Sequence, residues 1–206
     1  MKTIVARTLG EAWIEAMRDV MAKGEDIFDE DVRLKEIRNM YITIDEAGEN
    51  DEILVEYANK ERIALMKEKY ATCGLVGDYK TDYGSRIFNN NGINQLEWII
   101  NRMKKKPETK AATISLHIPG EDLLPCLSLM DFKLRNSKLD MTVVYRSQNI
   151  YWSQPGNVLA LRKMQEDVVK AVGCKPGKVE LIAISAHIYE KDYEAVQVIL
   201  RDAEKR

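Results

Sequence analysis

Apolar and polar residues alternate with the two-residue period of extended chain from Met130 to Leu134, and again from Leu139 to Val143. Between them lies Arg135-Asn136-Ser137-Lys138, so the stretch reads as two strands joined by a tight turn. With Asn136-Ser137 as the central turn residues, Leu134 faces Leu139, Phe132 faces Met141, Met130 faces Val143 and Ser128 faces Tyr145. That face is apolar. On the other, Lys133 meets Asp140 and Leu129 meets Val144, pairs that support the register. Extended further, the same register sets Cys126 opposite Ser147, with Arg146 one step along. A thiol beside a guanidinium is in a setting that stabilises a thiolate.

Elsewhere the period is mostly that of helices. Thr8 and Glu11 have the spacing of a capping box, and Leu9, Trp13, Ala16, Met17, Val20 and Met21 follow on one face until Gly24. Residues 25–31 read as an acidic loop, residues 37–44 as a strand and residues 45–51 as a polar turn. A helix opens at Asn59 and ends near Tyr70. Residues 74–92, rich in glycine, aspartate and asparagine, read as a long loop of the kind that carries function. Asn91 is expected to cap a helix with Leu96, Ile99, Ile100 and Met103 inward, closed by Lys104, Lys105, Lys106 and Pro107.

A strand over 111–116 leads to His117, a surface histidine by its position in a loop. Past the hairpin, Asn157 opens a helix that buries Ala160, Leu161, Met164, Val168 and Ala171 and stops at Gly173. Pro176-Gly177 is expected to turn the chain into a strand over 179–189, with Leu181, Ala183, Ser185, His187 and Tyr189 on one side. Two polar residues at the end of such a face suit a pocket mouth. An amphipathic helix over 192–203 carries Tyr193, Val196, Ile199 and Leu200. Strands and helices mixed in this way make an α+β chain, and 206 residues suffice for one domain, 1–206, with its own core.

Charge narrows the partners. Lys+Arg 31 against Asp+Glu 33 leaves a near-neutral chain, so no basic field points to nucleic acid or an anionic membrane. Apolar runs are far short of a span and no signal segment opens the sequence. Cys73, Cys126 and Cys174 are odd in number and widely spaced, which argues against a disulfide framework and against a zinc site. Reduced thiols fit a cytoplasmic protein. No metal site is expected.

Pro125-Cys126, Arg146-Ser147, Pro155-Gly156-Asn157 and His187-Ile188-Tyr189, in that order and spacing, resemble the thymidylate synthases, and Tyr83-Gly84 resembles the Tyr-Gly of that family. The resemblance covers roughly residues 78–193 and looks most like the short archaeal-type members. It implies a three-layer α+β fold with a twisted mixed sheet, a homodimer packed sheet to sheet, and dUMP or a related pyrimidine nucleotide as substrate. It implies one-carbon transfer to uracil C5, with Cys126 adding to C6 and leaving at the end. Tyr83 would organise proton transfer near the nucleophile. Arg146 would pair with the phosphate and the thiol, and Ser147 would hydrogen-bond the phosphate. Asn157 would read the base edge, asparagine favouring uracil where aspartate goes with cytosine. His187 and Tyr189 would hold the sugar hydroxyl.

Departures from the family pattern bear mainly on the carbon donor. Leu127 stands where bacterial and eukaryotic members have histidine, Asp131 where they have a glutamine on the substrate side, and Asn149 where they have an aspartate that contacts folate. Lys110-Ala111 replaces two arginines that reach the partner subunit's nucleotide. The final strand and apolar tail that close over folate have no counterpart. The donor is therefore expected to be a reduced pterin, methylenetetrahydrofolate or methylenetetrahydromethanopterin. Arg33 or Arg38 is a candidate for a further phosphate-binding arginine, and Glu56, Glu61 and Glu68 for the family's general-base glutamate, whose own motif is missing. The alternatives are a dUMP or dCMP hydroxymethylase and a non-catalytic nucleotide-binding relic.

Overall fold

A computed structural model describes residues 2–205. Strand β1 (Lys2–Thr8) runs into helix α1 (Leu9–Lys23), followed by β2 (Glu25–Asp29) and the long β3 (Val32–Glu46). Helices α2 (Glu52–Tyr57), α3 (Lys60–Ala71), α4 (Tyr83–Phe88) and α5 (Gln95–Lys105) come next. Then follow β4 (Thr113–Ser115), the hairpin β5 (Leu127–Arg135) and β6 (Lys138–Tyr145), the short β7 (Gln148–Asn149), α6 (Gln154–Val172), β8 (Lys175–Tyr189) and α7 (Tyr193–Ala203). The strands form one mixed sheet in the order β1-β3-β8-β6-β5-β4, with β2 beside β3 and β7 beside β8. This is an α+β arrangement built on one mixed sheet.

One face of that sheet makes the core. Ile4, Met40, Ile42, Ile44, Met130, Phe132, Leu139, Met141, Val143, Val179, Leu181 and Ala183 all point under the helices and are buried. The apolar face of the hairpin is therefore internal core. Alternate residues on the reverse face stay in solvent, including Val5 at 71% and Ile184 at 44% exposure, and Ile182, Val144 and Leu129 are half-buried beside them.

The expected capping box at Thr8 and Glu11 is formed in both directions, and Trp13 and Met17 are core. Trp13 also donates its indole N–H to the Ile150 carbonyl at 2.9 Å, which ties α1 to the segment after β7. Asn59 caps α3 through the Arg62 N–H, and α6 ends at Gly173. At the hairpin turn Asn136 (φ 50°) and Ser137 (φ 62°) are both left-handed, the geometry a two-residue connection needs to match strand twist.

Several expectations are corrected. Residues 25–31 are strand β2 and its turn, and Asp26 supports the pairing: it opposes Lys35 and forms an ion pair with Arg33. The loop over 74–92 contains α4, capped by Asp82, whose carboxylate also accepts the Gly74 N–H. The cap of α5 is Asn94, since Asn91 is left-handed within a turn closed by the Asn90 and Ile93 backbone pair. Pro176-Gly177 lies inside β8 at a register irregularity against β6. Most consequential, the hairpin register slips by one at its open end: Leu127, not Ser128, faces Tyr145.

Candidate active site

The slip is a β-bulge, and it builds the centre of the site. Because one residue is extra, the N–H groups of Cys126 and Leu127 both reach a single acceptor, the Tyr83 hydroxyl, at 3.0 and 3.2 Å. Cys126 faces Arg146 through its backbone, the Arg146 N–H donating to the Cys126 carbonyl at 2.8 Å. The expected pairing of Cys126 with Ser147 does not form. Tyr83 is almost fully buried and its hydroxyl is pushed up by burial. Accepting two N–H bonds leaves it its own proton to donate.

Two glycines let the walls close. A Cβ on Gly84 would lie 2.0 Å from the Thr72 carbonyl oxygen, so α4 can start against the end of α3 only with glycine there. A Cβ on Gly156 would lie 2.7 Å from that of Met66, and its absence lets the first turn of α6 rest on α3. The helix therefore places Arg62, Met66 and Lys69, at i, i+4 and i+7, along one wall.

The result is a cavity of about 520 Å³, within the usual range for a small-molecule site. Cys126, Tyr83, Ser147, Asn149, Asn157, His187 and Tyr189, seven of the residues expected from sequence, line it together. Asn157 donates its amide to the Gln148 side-chain carbonyl at 3.2 Å, and the Gln148 amide nitrogen has no partner of its own. Asn149 accepts the Trp152 N–H at 2.8 Å and is paired with His187 through β7 and β8. His187 packs edge-on against Tyr189, ring centroids 5.0 Å apart, with Ser185 Oγ 3.5 Å from Nδ1. Burial pushes the imidazole pKa down and favours its neutral form.

Three expected residues stand outside. Arg146 is exposed and donates to the carbonyls of Pro125 (3.2 Å) and Leu124 (2.9 Å), bracing the segment before Cys126 instead of facing the cavity. Asp131 accepts from Thr113 Oγ1 at 2.6 Å and pairs with Lys133 on the reverse face of the sheet, because the odd-numbered residues of β5 beyond the bulge point there. Lys110 is exposed ahead of β4. Arg33 is engaged by Asp26 and Glu190, and Arg38 lies near Glu25. None of Glu56, Glu61 and Glu68 lines the cavity.

Sequence reasoning missed what α3 contributes. Arg62 and Lys69 enter the cavity, with Lys191 and Asp192, the one lining carboxylate among the described residues, at its rim. Arg62 lies over the rings of Tyr79 (5.2 Å) and Trp152 (5.7 Å) and donates to Ser153 Oγ at 3.3 Å. Lys69 stacks its ammonium on Tyr79 and Tyr83. The signal was the i, i+4, i+7 spacing of Arg62, Met66 and Lys69, which marks a face, though not which neighbour covers it. The lining charges sum to a positive site suited to an anionic ligand. Among the described residues no cluster of His, Cys, Asp and Glu could hold a metal ion, and no helix is long and apolar enough to cross a membrane.

The thymidylate synthase family pattern matches residues 13–206. Relatives include proteins named "Putative thymidylate synthase" from Methanosarcina mazei (31% identical), Methanosarcina barkeri (32%) and Methanothermobacter thermautotrophicus (29%). The first two alignments each cover 97% of this chain and 95% of the relative, the third 97% and 98%. With the family pattern matched over residues 13–206 and relatives similar along nearly the whole length, the chain belongs to the thymidylate synthase family.

Proposed function

We propose that this enzyme converts dUMP to dTMP through a transient covalent bond between Cys126 Sγ and C6 of the uracil ring. The observation that supports the reading best is the convergence of Cys126, Ser147, Asn157, His187 and Tyr189 on one cavity. Addition of the thiolate at C6 moves the C5=C6 electron pair onto the C4 oxygen, and the enolate so formed attacks through C5. Loss of the C5 proton would free the donor nitrogen from the transferred carbon, the methylene so formed would take a hydride from the reduced pterin to become methyl, and the thiolate leaves as the C5=C6 bond re-forms. Asn157, oriented by Gln148, can offer both a donor and an acceptor to the base edge. Neutral His187 and the Tyr189 hydroxyl suit a sugar hydroxyl. Ser147 suits the phosphate, as does Arg146 once its guanidinium releases the carbonyls of Leu124 and Pro125.

A folate-type donor supplies the one-carbon unit, and methylenetetrahydromethanopterin is a candidate beside methylenetetrahydrofolate. Trp152, with 37% of its surface exposed at the cavity and Arg62 beside it, is a flat, cation-flanked face of the kind a pterin ring stacks on. The test is tritium release from 5-tritiated dUMP with each donor. Wild type should release tritium with one of them, and Cys126→Ala should fall to background, while recovery of a hydroxymethyl product would identify the hydroxymethylase instead. Equal release from wild type and Cys126→Ser would refute the adduct.

The homodimer follows from the same reading. The reverse face of the sheet mixes Val5, Ile182, Ile184, Val144 and Leu129 with hydroxyl and charged side chains, and among the described residues no helix covers it. A second copy packed back to back would bury that face and bring Lys110 toward the neighbouring cavity. Sedimentation should give a dimer for wild type and a monomer for Ile184→Asp; a monomeric wild type would end the dimer reading.

A further inference from the structure

Lys69 is a buried cation without a counter-charge. It is 6% exposed, yet among the described residues no carboxylate lies within ion-pair distance of it. Its ammonium is held instead over two ring faces, 3.5 Å from the centroid of Tyr79 and 3.9 Å from that of Tyr83. Tyr83 is the residue whose hydroxyl accepts the Cys126 N–H, so one aromatic ring links the ammonium to the thiol-bearing residue. Lys69 and Cys126 line the same cavity. A lysine with four flexible methylenes has no need to stay inside unless something there compensates its charge.

We propose that Lys69 is the charge partner of Cys126: transfer of the thiol proton to the Lys69 amine leaves the ammonium that sits over the two rings, and that charge holds the thiolate ready for addition. The proposal rests on Cys126 being the nucleophile. The step is balanced, since the S–H bond breaks, an N–H bond forms, and a neutral pair becomes an ammonium and a thiolate. When the thiolate is expelled from the ring at the end, the same pair is restored. Burial and the Arg62 charge push the amine down to about 8, and Cys126 acts in the opposite sense by favouring the ammonium. An amine in that range exchanges protons with a thiol near neutral pH at little cost.

The other titratable groups around this cavity do not replace it. Arg62, on the same helix, is a cation that opposes a second charge. Tyr83 and the Tyr70–Tyr145 hydroxyl pair are buried and pushed up, hence neutral. His187 and Tyr189 come from β8, and Asp192 and Lys191 from the rim. Tyr79 is likewise pushed up by burial.

Two measurements on the full chain test the pairing, and neither needs nucleotide or donor, so they can fail while tritium release stands, or the reverse. The first follows alkylation of Cys126 by iodoacetamide against pH, read by peptide mass spectrometry to separate it from Cys73 and Cys174. Lys69→Met should make alkylation near pH 7 about tenfold slower, and Lys69→Arg should restore the rate. The second does not depend on how the Lys69 variants fold. In Cys126→Ala the nuclear magnetic resonance titration of the Lys69 side chain should shift to lower pH by about one unit, as coupled groups require. An unmoved alkylation profile in folded Lys69→Met, or an unmoved Lys69 titration in Cys126→Ala, would overturn the proposal.

Discussion

The two ends of the β5–β6 hairpin are made of the same strands and behave differently. At the closed end every pair from Leu134 opposite Leu139 to Leu129 opposite Val144 keeps one register, and a left-handed Asn136-Ser137 turn fixes it. At the open end one extra residue enters β5, the ladder slips, and two consecutive N–H groups leave it for the Tyr83 hydroxyl. The closed end satisfies its polar groups with its own partner strand. The open end depends on a side chain 43 residues away in sequence, and it carries the candidate nucleophile. Irregularity is placed where a side chain must be re-aimed, and regularity where only packing matters.

The larger test of that contrast is Tyr83→Phe. It keeps the ring that packs on Tyr70 and under the Lys69 ammonium but removes the acceptor of the Cys126 and Leu127 N–H groups. Leaving those donors unpaired is expected to cost about 2 kcal/mol of stability by urea unfolding. Tritium release should drop about tenfold or more in protein that remains folded, because the bulge no longer aims Cys126. A variant that loses stability and keeps full tritium release would make the bulge a packing feature only.

What could be read from the sequence follows the same division. Local rules gave the Thr8 capping box, the stop at Gly173, the turn type and the pairings of Phe132 and Lys133, since each depends on residues close along the chain. The slip at Ser128 was not legible, because the hydroxyl that takes up the two N–H groups beside it, that of Tyr83, lies far upstream. The acidic segment before β3 looked like a loop until its charges met Arg33 and Lys35 across a ladder. In the site, spaced motifs brought seven expected residues to one cavity. Arg62 and Lys69 were hidden for the opposite reason: on a helix as charged as α3 a cation looks solvated until another helix covers it. Arg146 carries a motif position, yet its rotamer is set by two nearby carbonyls that no spacing rule describes.

The smallest expected effect lies at the closed end, and it sharpens the comparison by being small. Ser137 sits at φ 62°, where a residue with a Cβ is strained and glycine is not. Ser137→Gly relieves that strain but also gives the unfolded chain more freedom, and the two terms oppose each other. Relief is expected to win by about 0.5 kcal/mol, since Asn-Gly is the preferred pair for this turn. The backbone bond from Lys175 N to the Ser137 carbonyl, 2.9 Å, involves no side chain and should survive. Urea unfolding should move slightly toward higher stability while tritium release stays at the wild-type rate. A change in release with stability unaltered would mean that the turn and the nucleophile communicate along the strands, and the two ends could no longer be treated as separate.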